Sequence, residues 1–206
     1  MPLCHLQPHA QSVHFQPINR KIRRHLRKSL YQKRFQRGYI HLEFQKRPPC
    51  PNLTPDNRKG AAMTILTRDY NDDHVVTLTM NAPDRLNALS LAMLQALHEA
   101  FDSIANDTNI RVVILCGAGR AFCAGHDLNE LRDLRDQPDK GATGLKALFD
   151  RCTALMTRIQ SLPQPVIAQV QGLAAAAGCQ LVATCDLAVA EEEARFGVNG
   201  VNIGLF

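Results

Sequence analysis

Apolar positions recur with the periods of regular secondary structure from about residue 64 to residue 197. Two β-branched runs flank a Tyr-Asn-Asp-Asp turn, which predicts a hairpin. Two later runs are predominantly apolar, as is typical of strands buried on both faces, and two shorter runs follow them. The predicted strands are 64–68, 74–79, 111–116, 165–170, 186–190 and 194–197.

Helices are predicted in the intervals between several of these strands. Ser90 is placed to cap the first helix, whose apolar positions are spaced by 3, 4 and 3 residues: Leu94, Leu97, Phe101 and Ile104. The second helix is predicted over 143–160, with an apolar stripe of Leu145, Leu148, Cys152, Leu155 and Ile159. A third, Ala-rich helix is predicted around 174–183.

Strands that alternate with helices predict βαβ units and a largely parallel sheet in an α/β fold. The chain of 206 residues is 45% apolar, which suits a globular protein. Its apolar runs all stay below the ~18 residues of a membrane-spanning helix. The seven cysteines are scattered without a CxxC pair, so neither a disulfide framework nor a zinc site is expected. Cys123 and Cys179 are interpreted as small packing residues.

Charge divides the chain into two segments near residue 62. Residues 1–62 hold 13 Lys and Arg against two acids, a net charge of +11. Residues 63–206 hold 11 Lys and Arg against 17 acids, a net charge of −6. We interpret the first segment as a basic, Pro-rich leader and the second as the globular domain.

Three interpretations of the leader stay open. Its apolar positions recur at helical spacing among Arg and Lys, as in an organelle transit peptide: Ile22, Leu26, Leu30 and Phe35. Alternatively, the leader is translated upstream sequence, because Met63 begins a stretch that looks like a natural start. A nucleic-acid-binding arm is the third, although no RNP, zinc-finger or homeodomain pattern supports it. A transit peptide implies a mitochondrial location, and otherwise the protein is expected in the cytoplasm.

Two Gly- and Ala-rich segments follow predicted strands, where ligands bind in open α/β sheets. They are 117–128, after the strand at 111–116, and 171–180, after the strand at 165–170. Small side chains let a ligand approach backbone N–H groups closely, and two convergent N–H groups form an oxyanion hole. A dinucleotide site is excluded, because Phe122 stands where GxGxxG needs its third glycine, and no P-loop occurs.

Three motifs, in order, resemble the crotonase, or enoyl-CoA hydratase/isomerase, superfamily. They are NAPDRLNAL at 81–89, GRAFCAGHDL at 119–128 and QGLAAAAGCQL at 171–181, and the resemblance extends over about 64–206. It implies a spiral of ββα units, assembly as a trimer or dimer of trimers, and an acyl-CoA thioester substrate. Coenzyme A then enters as part of the substrate, with no permanently bound cofactor and no metal.

The resemblance also implies an oxyanion hole for the thioester carbonyl, formed by the backbone N–H groups of His126 and Ala177. Ala177 lies near the start of the Ala-rich helix, where free amides and the helix dipole favour a negative oxygen. The substrate-binding positions that the resemblance implies are Arg85, Arg120, Ala124, Gly125, Asp127, Leu128 and Gly178.

Both glutamates that hydratases of this superfamily use are replaced. Gln180 stands at the first position and Gly200 at the second. General acid–base catalysis needs titratable groups within hydrogen-bond reach, and an amide takes no proton near neutral pH. Efficient two-carboxylate hydration is therefore not expected, and Gln180 is assigned to orienting substrate or water.

Three residues of the second motif each allow two interpretations. His126 acts as a general acid or base, or its imidazole caps local carbonyl groups, which is the interpretation we favour. Asp127 contacts substrate or, as we favour, caps a short helix at 128–134. Arg120 binds a phosphate of coenzyme A or remains a solvated charge.

The predicted function is that of an acyl-CoA-binding enzyme of fatty-acid metabolism, of the lyase or isomerase class. The alternatives are a non-catalytic acyl-CoA-binding or regulatory homologue and an inactive fragment. The inactive-fragment alternative follows from the apolar end at 201–206, which should continue into the core. That end leads us to expect a truncated reading frame without the C-terminal helical part of the superfamily.

Overall fold

The computed structural model describes residues 64–198. The strands in this part are β1 (Leu66–Tyr70), β2 (Val75–Met80), β3 (Val112–Gly117), β4 (Ala121–Cys123), β5 (Val166–Val170), β6 (Leu173–Ala175), β7 (Leu187–Ala190) and β8 (Arg195–Gly197). The helices are α1 (Leu91–Ala105), α2 (Leu128–Arg135), α3 (Ala142–Ser161) and α4 (Ala177–Thr184), with a 3₁₀ turn at Pro83–Arg85. Four predictions lie outside the described residues: the leader with its helix, the boundary near residue 62, the Gly200 position and the apolar end at 201–206.

A five-stranded sheet forms the larger layer. β1 and β2 form the predicted hairpin, and Leu66 pairs with Met80 across it. Asn71 closes the turn, because its Oδ1 accepts a hydrogen bond from Val75 N at 2.9 Å. β2, β3, β5 and β7 then pair in parallel, which gives the order β1-β2-β3-β5-β7. The prediction of a largely parallel sheet is confirmed.

A second sheet, β4-β6-β8, consists of three short parallel strands and corrects two predictions. β4 lies within the Gly- and Ala-rich segment 117–128, where no strand is predicted and a loop is expected over 117–125. β6 occupies the beginning of the predicted helix at 174–183, and the helix starts only at Ala177. Each strand has three residues, too few for a readable alternation, and the high helix propensity of alanine is overridden by tertiary pairing. This sheet pairs Cys123 with Ala174, so the two Gly- and Ala-rich segments become neighbours.

The core lies between the larger sheet and helices α1 and α3. Ser90 Oγ accepts a hydrogen bond from Met93 N at 3.2 Å, as predicted for the cap of α1. All four predicted apolar positions of α1 are buried, and so are the predicted positions of α3 except Leu145, which is half-buried. Burying each such side chain contributes about 1.5–3 kcal/mol. No helix within 64–198 is long and apolar enough to cross a membrane.

Candidate functional site

The segment between β3 and β4 is held by a buried asparagine, Asn87. Its backbone lies in the left-handed region, with φ of +53°, which asparagine tolerates better than most residues. Its Nδ2 donates to Ala118 O at 2.9 Å and to Ala121 O at 2.8 Å. Its Oδ1 accepts a hydrogen bond from Ala82 N at 2.9 Å. The side chain therefore ties the first motif to the second, a role that the sequence analysis missed although Asn87 lies in a quoted motif.

Gln171, at the turn between β5 and β6, braces the same segment. Its Nε2 donates to the carbonyl oxygens of Gly117 at 2.5 Å and Ala121 at 3.0 Å. The next residue, Gly172, packs so closely that a Cβ there would overlap Arg120 O. The backbone of Arg120 is thus fixed, while its side chain remains exposed.

The loop 124–126 carries the first predicted N–H donor. Ala124 N donates to Leu86 O at 3.0 Å, and Leu89 N donates to Gly125 O at 2.7 Å. An isolated parallel bridge joins Leu89 to His126. Gly125 has φ of +97°, a conformation that glycine adopts without strain. These contacts fix the loop against the first motif.

The second predicted donor, Ala177, is the first residue of α4. The preceding Ala176 has φ of +47°, and its N–H donates to Gly197 O at 2.7 Å. A Cβ placed on Gly125 would lie 3.4 Å from Ala177 N, so the two loops are in contact. The structure therefore brings the loops that carry the two predicted donors into contact.

Asp127 links the donor loop to two neighbouring elements. Its Oδ1 accepts hydrogen bonds from Asn129 N at 3.0 Å and Glu130 N at 3.4 Å, so it caps α2 as predicted. Its Oδ2 lies 2.5 Å from Arg85 Nη2 in an ion pair. Glu130 in turn accepts a hydrogen bond from Leu91 N, at the start of α1, at 2.9 Å. The buried carboxylate thus joins the 3₁₀ turn to α2 beside the donor loop.

The His126 ring is held by one carbonyl group and one aromatic ring. Its Nδ1 lies 3.4 Å from Leu89 O, and because a carbonyl only accepts, Nδ1 carries the proton in this hydrogen bond. The ring meets Phe149 of α3 edge to face, with centroids 5.4 Å apart and an interplanar angle of 79°. Burial lowers the pKa of His126, partly opposed by the hydrogen bond to Leu89 and the charge of Glu130. This arrangement agrees with the capping interpretation of the imidazole.

The lowered pKa of His126 predicts a pH-dependent stability. As pH falls below 6.5, the ordinary pKa of histidine, the unfolded chain takes up a proton that folded His126 resists. We expect the free energy of unfolding to decrease between that pH and the lower folded pKa. Urea unfolding of the full chain across this range, compared with His126→Gln, measures the effect. Parallel pH profiles for the two proteins would contradict it.

A cleft of about 300 Å³ opens beside the first donor loop. It is lined by Asp84, Arg85, Leu86, Ala88, Ala124, His126, Asp127, Leu128 and Asn129. Five of these were predicted as site residues. The others lie in or next to the quoted motifs without having been singled out. The side chains of Arg120 and Gln180 are exposed and do not line this cleft.

The cysteines of the motifs have the environment of packing residues. Burial raises the pKa of Cys123 to about 12, and it also raises the pKa of Cys179. Both thiols therefore stay protonated and unreactive near neutral pH. Within the described residues, no three or more His, Cys, Asp or Glu side chains gather where they could hold a metal ion.

Comparisons with known proteins agree with the motifs. The family described as enoyl-CoA hydratase/isomerase matches residues 71–206. Enoyl-CoA hydratase domain-containing protein 3, mitochondrial, of Xenopus laevis is 44% identical over 144 residues, 70% of this chain and 46% of that protein. The 2,3-dehydroadipyl-CoA hydratase of Escherichia coli is 40% identical over 131 residues, 64% of this chain and 48% of that protein. The chain spans about half the length of the curated relatives it matches.

Solved structures show the same relationship. The structure of an enoyl-CoA hydratase from Mycobacterium smegmatis superimposes with a TM-score of 0.65 at 54% identity, covering 69% of this chain and 54% of that one. Human enoyl coenzyme A hydratase domain-containing protein 3 gives a TM-score of 0.64 at 38% identity, with the same coverage. The predicted crotonase-like α/β fold is confirmed over the matched part. The chain belongs to the enoyl-CoA hydratase/isomerase family.

Proposed function

We propose that this chain binds acyl-CoA thioesters and acts on them as an enzyme of fatty-acid or related thioester metabolism. The observation that carries the proposal is the contact between the two donor loops. A Cβ on Gly125 would lie only 3.4 Å from Ala177 N, so the loop that carries His126 contacts the start of α4, and His126 itself lines the cleft. Membership of the enoyl-CoA hydratase/isomerase family supports the choice of substrate class.

The two amides suit a reaction in which the thioester oxygen becomes negative. Both are held before substrate arrives, one by the clamped loop 124–126 and the other at the start of α4. Donors fixed in advance do not have to reorganise when charge develops, and losing one such donor typically costs about 10²–10³ in rate. The start of α4 also contributes the positive end of its helix dipole. An enolate or a tetrahedral intermediate would be stabilised in the same way.

The rest of the thioester would lie along the cleft. Arg85 and Arg120 are proposed to meet the phosphates of coenzyme A, because guanidinium groups bind phosphate with two parallel hydrogen bonds. Half of the Arg85 side chain is exposed although it pairs with Asp127, so it can reach a ligand at the surface. The other proposed contacts are Ala124, Gly125, Asp127, Leu128 and Gly178.

The residue at the first glutamate position favours a second candidate, a non-catalytic acyl-CoA-binding or regulatory protein. Gln180 takes no proton near neutral pH, and its side chain is exposed on α4. Gln180→Glu combined with Gly200→Glu separates the two candidates. Hydration of crotonyl-CoA gained only in the double variant supports a binding protein that lacks the acid–base groups. Turnover of acyl-CoA thioesters by the unmodified chain supports the enzyme.

Binding itself is tested by thermal unfolding of the full chain with acetyl-CoA, and with desulfo-CoA as the control without an acyl group. A ligand that binds only the folded state raises the midpoint, by an amount that grows with its concentration. We expect a larger rise with acetyl-CoA than with desulfo-CoA, because only the thioester carbonyl reaches the two amides. Equal midpoints with both compounds and with buffer alone would refute the proposal.

Assembly and location follow from the same proposal. We infer a homotrimer, or a dimer of trimers, which sedimentation of the purified chain would measure. The vertebrate relatives are named as mitochondrial proteins. We infer the same compartment for this chain if residues 1–62 act as a transit peptide, and the cytoplasm otherwise. Microscopy of a fluorescent fusion to the full chain distinguishes the two.

A further inference from the structure

Cys123, the last residue of β4, lies against the loop that carries the first donor. Its side chain is fully buried, and its Sγ accepts a hydrogen bond from Gly125 N at 3.5 Å. Because Gly125 directly precedes His126, the thiol contacts the loop one residue before the proposed donor.

The same cysteine also lies against the second donor loop. A Cβ placed on Gly178 would lie 2.9 Å from Cys123 Cβ and would overlap Cys123 O. Gly178 directly follows Ala177. Cys123 therefore contacts the residue next to each of the two proposed donors, one through its sulfur and one through its carbonyl and Cβ.

We propose that Cys123 is a positioning residue that sets the separation between the N–H groups of His126 and Ala177. The inference rests on the proposed function, since it concerns the same oxyanion hole. Cys123 itself does not touch the substrate. It acts by holding two loops that the chain supplies from distant segments, 124–126 and the start of α4.

A buried thiol has suitable properties for this task. Burial keeps it neutral, with a pKa raised to about 12, so it adds no negative charge near a site that stabilises an anion. Its sulfur accepts the Gly125 N–H, weakly as thiols do, while the carbonyl and Cβ of the same residue pack against Gly178. A displacement of about 1 Å in such a site can cost about 10² in rate.

The test measures how strongly the bound thioester carbonyl is polarised, which does not depend on the reaction. Acetyl-CoA labelled with ¹³C at the carbonyl is bound to the full chain, and the NMR chemical shift of the carbonyl carbon is compared with that of free acetyl-CoA. The change in chemical shift on binding is the displacement to which the variants are compared. Cys123→Ala removes both volume and acceptor, and Cys123→Val keeps volume and removes the acceptor. We expect each folded variant to bind acetyl-CoA yet retain less than about half of the wild-type displacement.

Cys185→Ala is the matched control. Cys185 is a half-buried cysteine whose pKa burial also raises to about 12, and its Sγ donates to Leu181 O at 3.3 Å on the far part of α4. We expect this variant to keep the full displacement. If Cys123→Ala does not fold, Cys123→Val makes the same comparison. Cys123→Ser supplies a hydroxyl acceptor in place of the thiol, so we expect it to keep most of the wild-type change in ¹³C chemical shift.

The outcomes separate this inference from the function on which it rests. An undiminished displacement in the folded Cys123 variants, or an equal loss in Cys185→Ala, would overturn the positioning role while the wild-type displacement still supports the oxyanion hole. No displacement in the wild-type protein would instead overturn the proposed function, and the inference with it.

Discussion

Replacement of Asn87 by alanine is expected to lower the free energy of unfolding by about 3 kcal/mol, at about 1 kcal/mol for each of three lost hydrogen bonds. The side chain is fully buried, and the variant loses its hydrogen bonds with Ala82 N, Ala118 O and Ala121 O together. Alanine also tolerates the left-handed backbone at this position, with φ of +53°, less well than asparagine does. Urea unfolding of the full chain measures the change.

Asn81→Ala provides the matched control for Asn87→Ala. Asn81 lies in the same motif, but its Nδ2 makes one exposed hydrogen bond, to Thr64 O at 3.2 Å. Its loss should cost less than about 1 kcal/mol. Equal destabilisation by the two variants would show that the buried hydrogen bonds of Asn87 stabilise the fold no more than the one exposed hydrogen bond of Asn81. If the Asn87→Ala protein folds, it should also bind acetyl-CoA more weakly, since the segment between β3 and β4 leads into the donor loop.

Replacement of Gly178 by valine is expected to weaken the binding of acetyl-CoA at least tenfold. Any side chain at this position overlaps the carbonyl oxygen of Cys123. That oxygen belongs to a paired strand and cannot rotate away, so the first turn of α4 must move instead. The turn carries the Ala177 N–H, and its displacement separates the two proposed donors. We expect at least a tenfold loss of affinity for acetyl-CoA, since the lost interaction is worth about 1.4 kcal/mol or more.

Gly197→Ala is the control for the Gly178 prediction. A Cβ at Gly197 meets no atom of residues 64–198 within 4 Å, although this glycine also lies in the smaller sheet. We expect it to change the unfolding free energy by less than about 1 kcal/mol and to leave acetyl-CoA binding intact. Isothermal titration with acetyl-CoA checks both variants. Wild-type affinity in Gly178→Val would contradict the steric argument.

The larger sheet could be predicted from sequence because its strands carry their own signal. β3 and β5 are predominantly apolar runs, and the β1–β2 hairpin is marked by its turn. β4 and β6 could not be predicted, because a strand of three residues is too short to show a period. Their existence depends on pairing between segments about fifty residues apart, which local pattern does not reveal.

The candidate site was predictable where the chain itself holds the residues together. Asp127 caps α2 one residue after His126, so spacing along the chain sufficed. Phe149 was missed because α3 brings it to His126 from a distant part of the sequence. Gln180 was predicted from its place in the third motif, and α4 places its side chain at the surface. The rotation of α4 about its own axis decides that orientation. Spacing along the sequence does not determine this rotation, because the helix begins at a turn rich in glycine and alanine.

The pairing order of the five-stranded sheet also bears on how the chain folds. Within the described residues, only β1 and β2 of this sheet are adjacent in sequence across a short turn; each parallel pair is joined by a crossover that includes at least one helix. Loop-closure entropy must be overcome before such distant pairs stabilise each other, and high contact order slows folding. Refolding should therefore be limited by the meeting of remote strands rather than by helix formation, and newly made chains would expose their apolar strands for longer than a helical bundle does.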